Sequence, residues 1–124
     1  MTGDQQLTTH FNLSEFRCKC CGAVDAEAAL RLAYRLEEVR TDFGPMLITS
    51  GFRCPKENLA CGGKADSQHL IGLAADIFIA EDNARFRLVI GLLQQGFKRI
   101  GIGQTIVHAD IGTITGPIIW TYYI

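Results

Sequence analysis

The run Ser67-Gln68-His69-Leu70-Ile71-Gly72-Leu73-Ala74-Ala75-Asp76 places an imidazole at the end of a glycine-containing loop and a carboxylate at the start of an apolar stretch. Aspartate is a poor strand former, and a carboxylate set between Ala75 and Ile77 stays buried only beside a cation or several donors. A second run, Ile106-Val107-His108-Ala109-Asp110-Ile111, alternates as a strand does. His108 and Asp110 therefore share one face, and Val107, Ala109 and Ile111 the other. Two histidines and one carboxylate make a three-ligand set for catalytic zinc, with the fourth position left to a water whose pKa falls toward about 7. Taken by spacing alone, a strand histidine is more often a satisfied core residue, and a His–Asp pair a structural hydrogen bond. Both readings stay open at this level.

The elements that must position these residues are legible in outline. Leu32, Leu36, Val39 and Phe43 recur at helical spacing, which predicts a helix from about Asp25, as N-cap, to Phe43, with Gly44-Pro45 as its stop. Met46–Ser50 reads as a short strand and residues 54–72 as a long polar loop. Leu73–Ala80 reads as a buried strand in which Ala75, Ile77 and Ile79 alternate with Asp76 and Phe78. A second helix is expected from Asp82 to Gln95, lined on one face by Phe86, Val89, Ile90 and Leu93. Arg99–Ile102, Ile106–Ile111 and Ile118–Tyr123 complete the strand candidates. The class is α+β, a small mixed or antiparallel sheet with helices on one face. Residues 1–12 are expected to be a flexible arm in which His10 is simply exposed, and residues 13–124 one domain.

The chain has 124 residues, 48% apolar and 20% charged, which suits one soluble globular domain. Twelve basic residues face thirteen acidic ones without a basic cluster, so nucleic-acid binding has no electrostatic footprint. No apolar run is long enough to span a membrane. Met1–Asn12 shows no secretory signal, which gives the expectation of a protein made in the cytoplasm. The cysteines are Cys18, Cys20, Cys21, Cys54 and Cys61, an odd count that argues against a full disulfide framework. Reduced, buried, unligated thiols are the expectation. Convergence of Cys18, Cys20 or Cys21, Cys54 and Cys61 on a structural zinc is the alternative.

Together these segments resemble the D-Ala-D-Ala carboxypeptidase family of zinc peptidases, which includes phage endolysins and shares its metal site with hedgehog domains. The resemblance runs from Leu13-Ser14-Glu15-Phe16 and its cysteines through Ser50-Gly51-Phe52-Arg53-Cys54-Pro55, Asn58 and Gly62-Gly63. It continues through Ser67-x-His69-x-x-Gly72-x-Ala74-x-Asp76 and Val107-His108-x-Asp110 to Trp120-Thr121-Tyr122. It implies a hedgehog-like zinc fold, Zn2+ held by His69, Asp76 and His108, and an Arg53 that faces the substrate and stabilises an oxyanion. It also implies a supporting hydrogen bond from Ser67, and stem peptides of bacterial peptidoglycan as substrates, cut by a monomer that reaches the wall after release. Carboxypeptidase and endopeptidase action are not separable here.

One position departs from the pattern. Several family members carry an acid three residues before the last histidine ligand, where this chain has Thr105. Asp110 is the first candidate to replace it, as base or as a group orienting a ligand, followed by Asp66, Glu57 and Glu81. A zinc-binding module without catalysis, or a phage structural protein, is the rival reading. Trp120 is expected either at the edge of the substrate cleft or in the core.

Overall fold

The computed structural model describes residues 4–113 and 116–122; the ends of the expected arm (Met1–Gly3) and of the last strand (Tyr123) lie outside them. Helix α1 spans Ala26–Phe43, and Asp25 caps it by accepting from the Ala28 amide at 3.0 Å. Its buried stripe is Ala29, Leu32, Ala33, Leu36 and Val39, as the helical spacing predicts. Strand β1 is Ile48–Ser50, β2 Ala74–Phe78, β3 Arg99–Ile102, β4 Ile106–Asp110 and β5 Ile118–Thr121. They form one sheet in the order β1-β2-β4-β3-β5, antiparallel throughout except for the parallel β3–β5 pair. The class is the expected α+β with a mixed sheet.

Alternation divides the sheet. Ala75, Ile77, Ile100, Val107 and Ala109 join Leu32, Leu36 and Val39 of α1 in one core, so Asp76 and His108 point to the opposite face. Helix α3, Asp82–Gln94, contributes to that core through Ala84, Leu88 and Leu92. This corrects the expected face: Phe86, Ile90 and Leu93 are exposed, and only Val89 packs partly against the core. The helix carries two apolar stripes, and the smaller residues decide between them. A Cβ at Gly91 would stand 3.3 Å from Val39, so α3 lies close to α1 along the stripe that can be approached.

Two further expectations change. The stretch 54–72 holds a short helix α2, Pro55–Ala60, and a 3-10 turn, Gln68–Ile71. Pro55 at the first helical position starts α2, but six residues are too few to show a period. The described part of the expected arm is tied down. Phe11 is 1% exposed in the core, the Leu13 amide donates to Gln5 O at 2.7 Å, and Asp4 accepts from the Ser14 amide at 2.9 Å. His10 is exposed yet paired with Glu37.

Candidate metal centre

Register puts five residues in one line across the sheet. Ser50 pairs with Asp76, Asp76 with His108, His108 with Gly101 and Gly101 with Trp120. The 3-10 turn delivers His69 to the same place. Ser67 Oγ accepts from the His69 amide at 3.2 Å, and the Arg53 amide donates to His69 O at 2.9 Å. His69, Asp76 and His108 are all buried, at 2, 6 and 5% exposure.

Each ring has one nitrogen spoken for. His69 Nδ1 lies 2.6 Å from Gly51 O, an acceptor, so that nitrogen carries the proton and Nε2 is left with a lone pair. His108 Nε2 lies 2.7 Å from Asp110 Oδ2, which fixes the proton there and leaves Nδ1. His69 Nε2 and His108 Nδ1 then face the same oxygen, Asp76 Oδ1, at 3.2 and 3.1 Å. The ligand-capable atoms of the three residues all lie within 4.8 Å of one another. Two imidazole lone pairs aimed at one carboxylate oxygen repel unless a proton or a metal ion stands among them. Ligands about 2.1 Å from a tetrahedral zinc lie about 3.4 Å apart, close to the separations found. The donor set fits zinc in type, number and spacing.

The electrostatics follow from this close pairing of carboxylates with imidazoles and arginines. With a proton in that place instead of a metal, burial pushes the Asp76 carboxyl up, but the hydrogen bonds it then accepts from His108 and His69 outweigh burial and hold it well below the usual carboxylate range. Burial also opposes charge on His108, yet its bonds to Asp110 and Asp76 prevail and raise its pKa.

Around the cluster, Arg53 spans two partners: Nε donates to Ser50 Oγ at 2.9 Å and Nη2 to Asp76 Oδ2 at 2.9 Å, while Nη1 has only a 3.5 Å contact with Asn58. Asp110, 1% exposed, is engaged on both oxygens, Oδ2 by His108 and Oδ1 by Arg99 Nε at 2.8 Å and the Gly112 amide at 3.0 Å. Of the other candidate acids, Asp66 and Glu81 are exposed, and Glu57 is half-buried on α2. Thr105 sits in the β3–β4 turn, its carbonyl accepting from Ile79.

Trp120, left open between cleft and core, flanks the cluster: its ring is 5.2 Å from that of His108, and the Arg99 guanidinium is 5.5 Å from its centre. It can lie there because position 101 has no side chain. A Cβ on Gly101 would come within 2.6 Å of the indole Nε1. Gly101 and Arg99 were not marked by sequence reasoning, and Ser50 and Gly51 only as part of a motif without a role, since nothing local shows what they touch before the strands are aligned. Gly101→Val is expected to push the indole away and cost about 1–3 kcal/mol as overpacking. Trp120 is the single tryptophan, so its fluorescence emission should shift to longer wavelength as the unfolding midpoint falls; an unchanged emission and midpoint would disprove the contact.

The cysteines gather differently from the expectation. Cys18, Cys20, Cys21 and Cys54 bring their sulfurs within 4.8 Å of one another, and Cys61 is not among them. Only Cys18 is buried; Cys54 is half-buried and Cys20, Cys21 and Cys61 are exposed.

No curated protein matches the chain. A family model described as Peptidase M15 matches residues 9–110, a stretch that contains Arg53, His69, Asp76, His108 and Asp110. Its members are peptidases that generally depend on zinc. A buried two-histidine, one-carboxylate cluster, built from the loop and strands that this model covers, leads to one conclusion: the chain belongs to the peptidase M15 family.

Proposed function

We propose that this protein is a zinc-dependent peptidase that hydrolyses the stem peptides of bacterial peptidoglycan, as a D-Ala-D-Ala carboxypeptidase or an endolysin-type endopeptidase. The observation that carries the reading is the convergence of His69 Nε2, Asp76 Oδ1 and His108 Nδ1, with the other nitrogen of each ring already bonded. These three atoms would hold the metal. A zinc ion bound there supplies a Lewis acid for the scissile carbonyl and lowers the pKa of a water.

The chain's own groups then divide the work. The Nε–Nη2 edge of Arg53 fixes Ser50 and the outer oxygen of Asp76, and its Nη1 corner is the donor left for a carbonyl oxygen as charge develops on it. Asp110 acts as an orienting group behind His108, since both its oxygens are occupied away from the ligand atoms. Glu57 is assigned the proton transfer, taking a proton from the attacking water and returning it to the leaving amine. Of Asp66, Glu57 and Glu81 it is the half-buried one, and it accepts from Cys61, a thiol that also feels the charges of Arg53 and Asp76. Trp120 walls the substrate side. Among the described residues no helix is long and apolar enough to cross a membrane; synthesis in the cytoplasm, action at the wall after release, a hedgehog-like fold and a monomeric state belong to the same proposal.

Asp110→Asn should weaken zinc binding about 10- to 100-fold while turnover at saturating zinc stays near that of the parent. Glu57→Gln should do the reverse, keeping zinc and losing about 100-fold or more in turnover, the scale for a general base. If Asp110→Asn instead loses turnover with zinc affinity intact, Asp110 is the base and Glu57 is not. The proposal as a whole is tested on synthetic stem peptides and purified wall, with chelated protein before and after zinc is restored. Zinc-dependent appearance of new amino termini supports it. The absence of an acid at Thr105 favours one rival, a wall-peptide binder without catalysis; binding of stem peptides without cleavage in the zinc-loaded protein would establish that rival.

A further inference from the structure

Two segments meet just after Arg53. One is the tight loop that follows the 3-10 turn Leu13–Phe16, closed by bonds from the Cys18 amide to Ala23 O and the Gly22 amide to Cys18 O, both 2.8 Å, and from Arg17 Nη1 to Gly22 O at 2.9 Å. It presents Cys18, Cys20 and Cys21. The other is the start of α2, where Cys54 is the N-cap and accepts from the Glu57 amide at 3.4 Å. Cys20 Sγ lies 3.4 Å from Cys54 Sγ, the Cys54 amide points at Cys18 Sγ at 3.4 Å, and the four sulfurs lie within 4.8 Å of one another.

We propose that Cys18, Cys20, Cys21 and Cys54 form a second zinc site, of the closed four-thiolate kind, which pins the N-terminal loop to the residue beside Arg53. Four sulfurs about 2.3 Å from a tetrahedral zinc stand about 3.8 Å apart, which is the spacing scale found here. Four donors leave no open position, so the site is structural and not catalytic. Binding exchanges thiol protons for the metal and needs no oxidant or reductant. The consequence reaches the first site through a short path. Cys54 follows Arg53 directly, and the guanidinium of Arg53 holds Asp76. The fifth cysteine, Cys61, bonds Glu57 at the end of α2 and takes no part.

The two sites are separable by measurement. Metal analysis of the zinc-saturated chain should give two zinc ions per chain, and one in either His69→Ala or the Cys20→Ser, Cys21→Ser double variant. Cobalt substituted into the wild-type chain should show a thiolate-to-cobalt charge-transfer band, which the double variant lacks and His69→Ala keeps. Thiol reagent should find one accessible thiol, Cys61, in the native zinc-loaded protein, and all five cysteines after chelator and denaturant. The last two readings on the wild-type chain do not depend on any variant folding. The proposal is overturned if cobalt gives no such band, if four or more thiols react rapidly in the zinc-saturated native protein, if iron occupies the site in place of zinc, or if only three thiols react after chelation and denaturation, which would mean a disulfide.

Discussion

His69→Ala and His108→Ala are each expected to empty the His–Asp–His centre and reduce peptide hydrolysis to background. Removing a ligand should weaken zinc there by more than about 100-fold, beyond the range for groups that only orient a ligand. Competition against a chromophoric chelator reads the affinity, and release of amino groups from stem peptides reads the activity. His10→Ala is the control: His10 pairs with Glu37, is not part of the cluster and should change neither. The pH dependence has a defined sign. In the metal-free protein the His108 pKa lies above the ordinary histidine value, so protons compete with zinc increasingly as pH falls through that raised pKa, and apparent affinity falls with it. An affinity that rose toward acid would contradict the assignment of His108 as a ligand.

Arg53→Lys carries the second largest expected effect. The guanidinium is a planar fork that holds Ser50 and Asp76 with two nitrogens and keeps a third toward Asn58. An ammonium cannot reproduce that geometry. At saturating zinc, turnover should fall about 100-fold or more, the scale for losing a donor to a developing oxyanion. Zinc affinity should fall as well, because the outer oxygen of Asp76 loses its partner. Measured separately, the two readouts dissect the arginine. Turnover that recovers fully with excess zinc would confine Arg53 to holding Asp76.

The two runs that meet in the His69–Asp76–His108 cluster were legible because each is local: a carboxylate between Ala75 and Ile77 and a histidine alternating with apolar residues are odd within a few residues of chain. The line Ser50–Asp76–His108–Gly101–Trp120 was not, because it exists only once β3 is aligned to β4 and β5 lies parallel to β3. Asp110 shows the boundary between the two. Alternation placed it on the face of His108, about 6–7 Å along the strand, but not which ring nitrogen its carboxylate would reach. The same limit explains α3. Its apolar stripes are alike by composition, and only the approach of Gly91 to Val39 selects Leu88 and Leu92 over Phe86 and Leu93. The cysteine spacing fits no standard finger, so the gathering of Cys20, Cys21 and Cys54 depended on where the first loop is folded back.

The most direct test of the metal centre is an anomalous difference map at the zinc absorption edge from crystals of the zinc-loaded protein. It should show a peak about 2.0–2.2 Å from His69 Nε2, Asp76 Oδ1 and His108 Nδ1, with Asp110 still on His108 Nε2. A map with full zinc at the cysteine cluster and none among these three atoms would contradict the account.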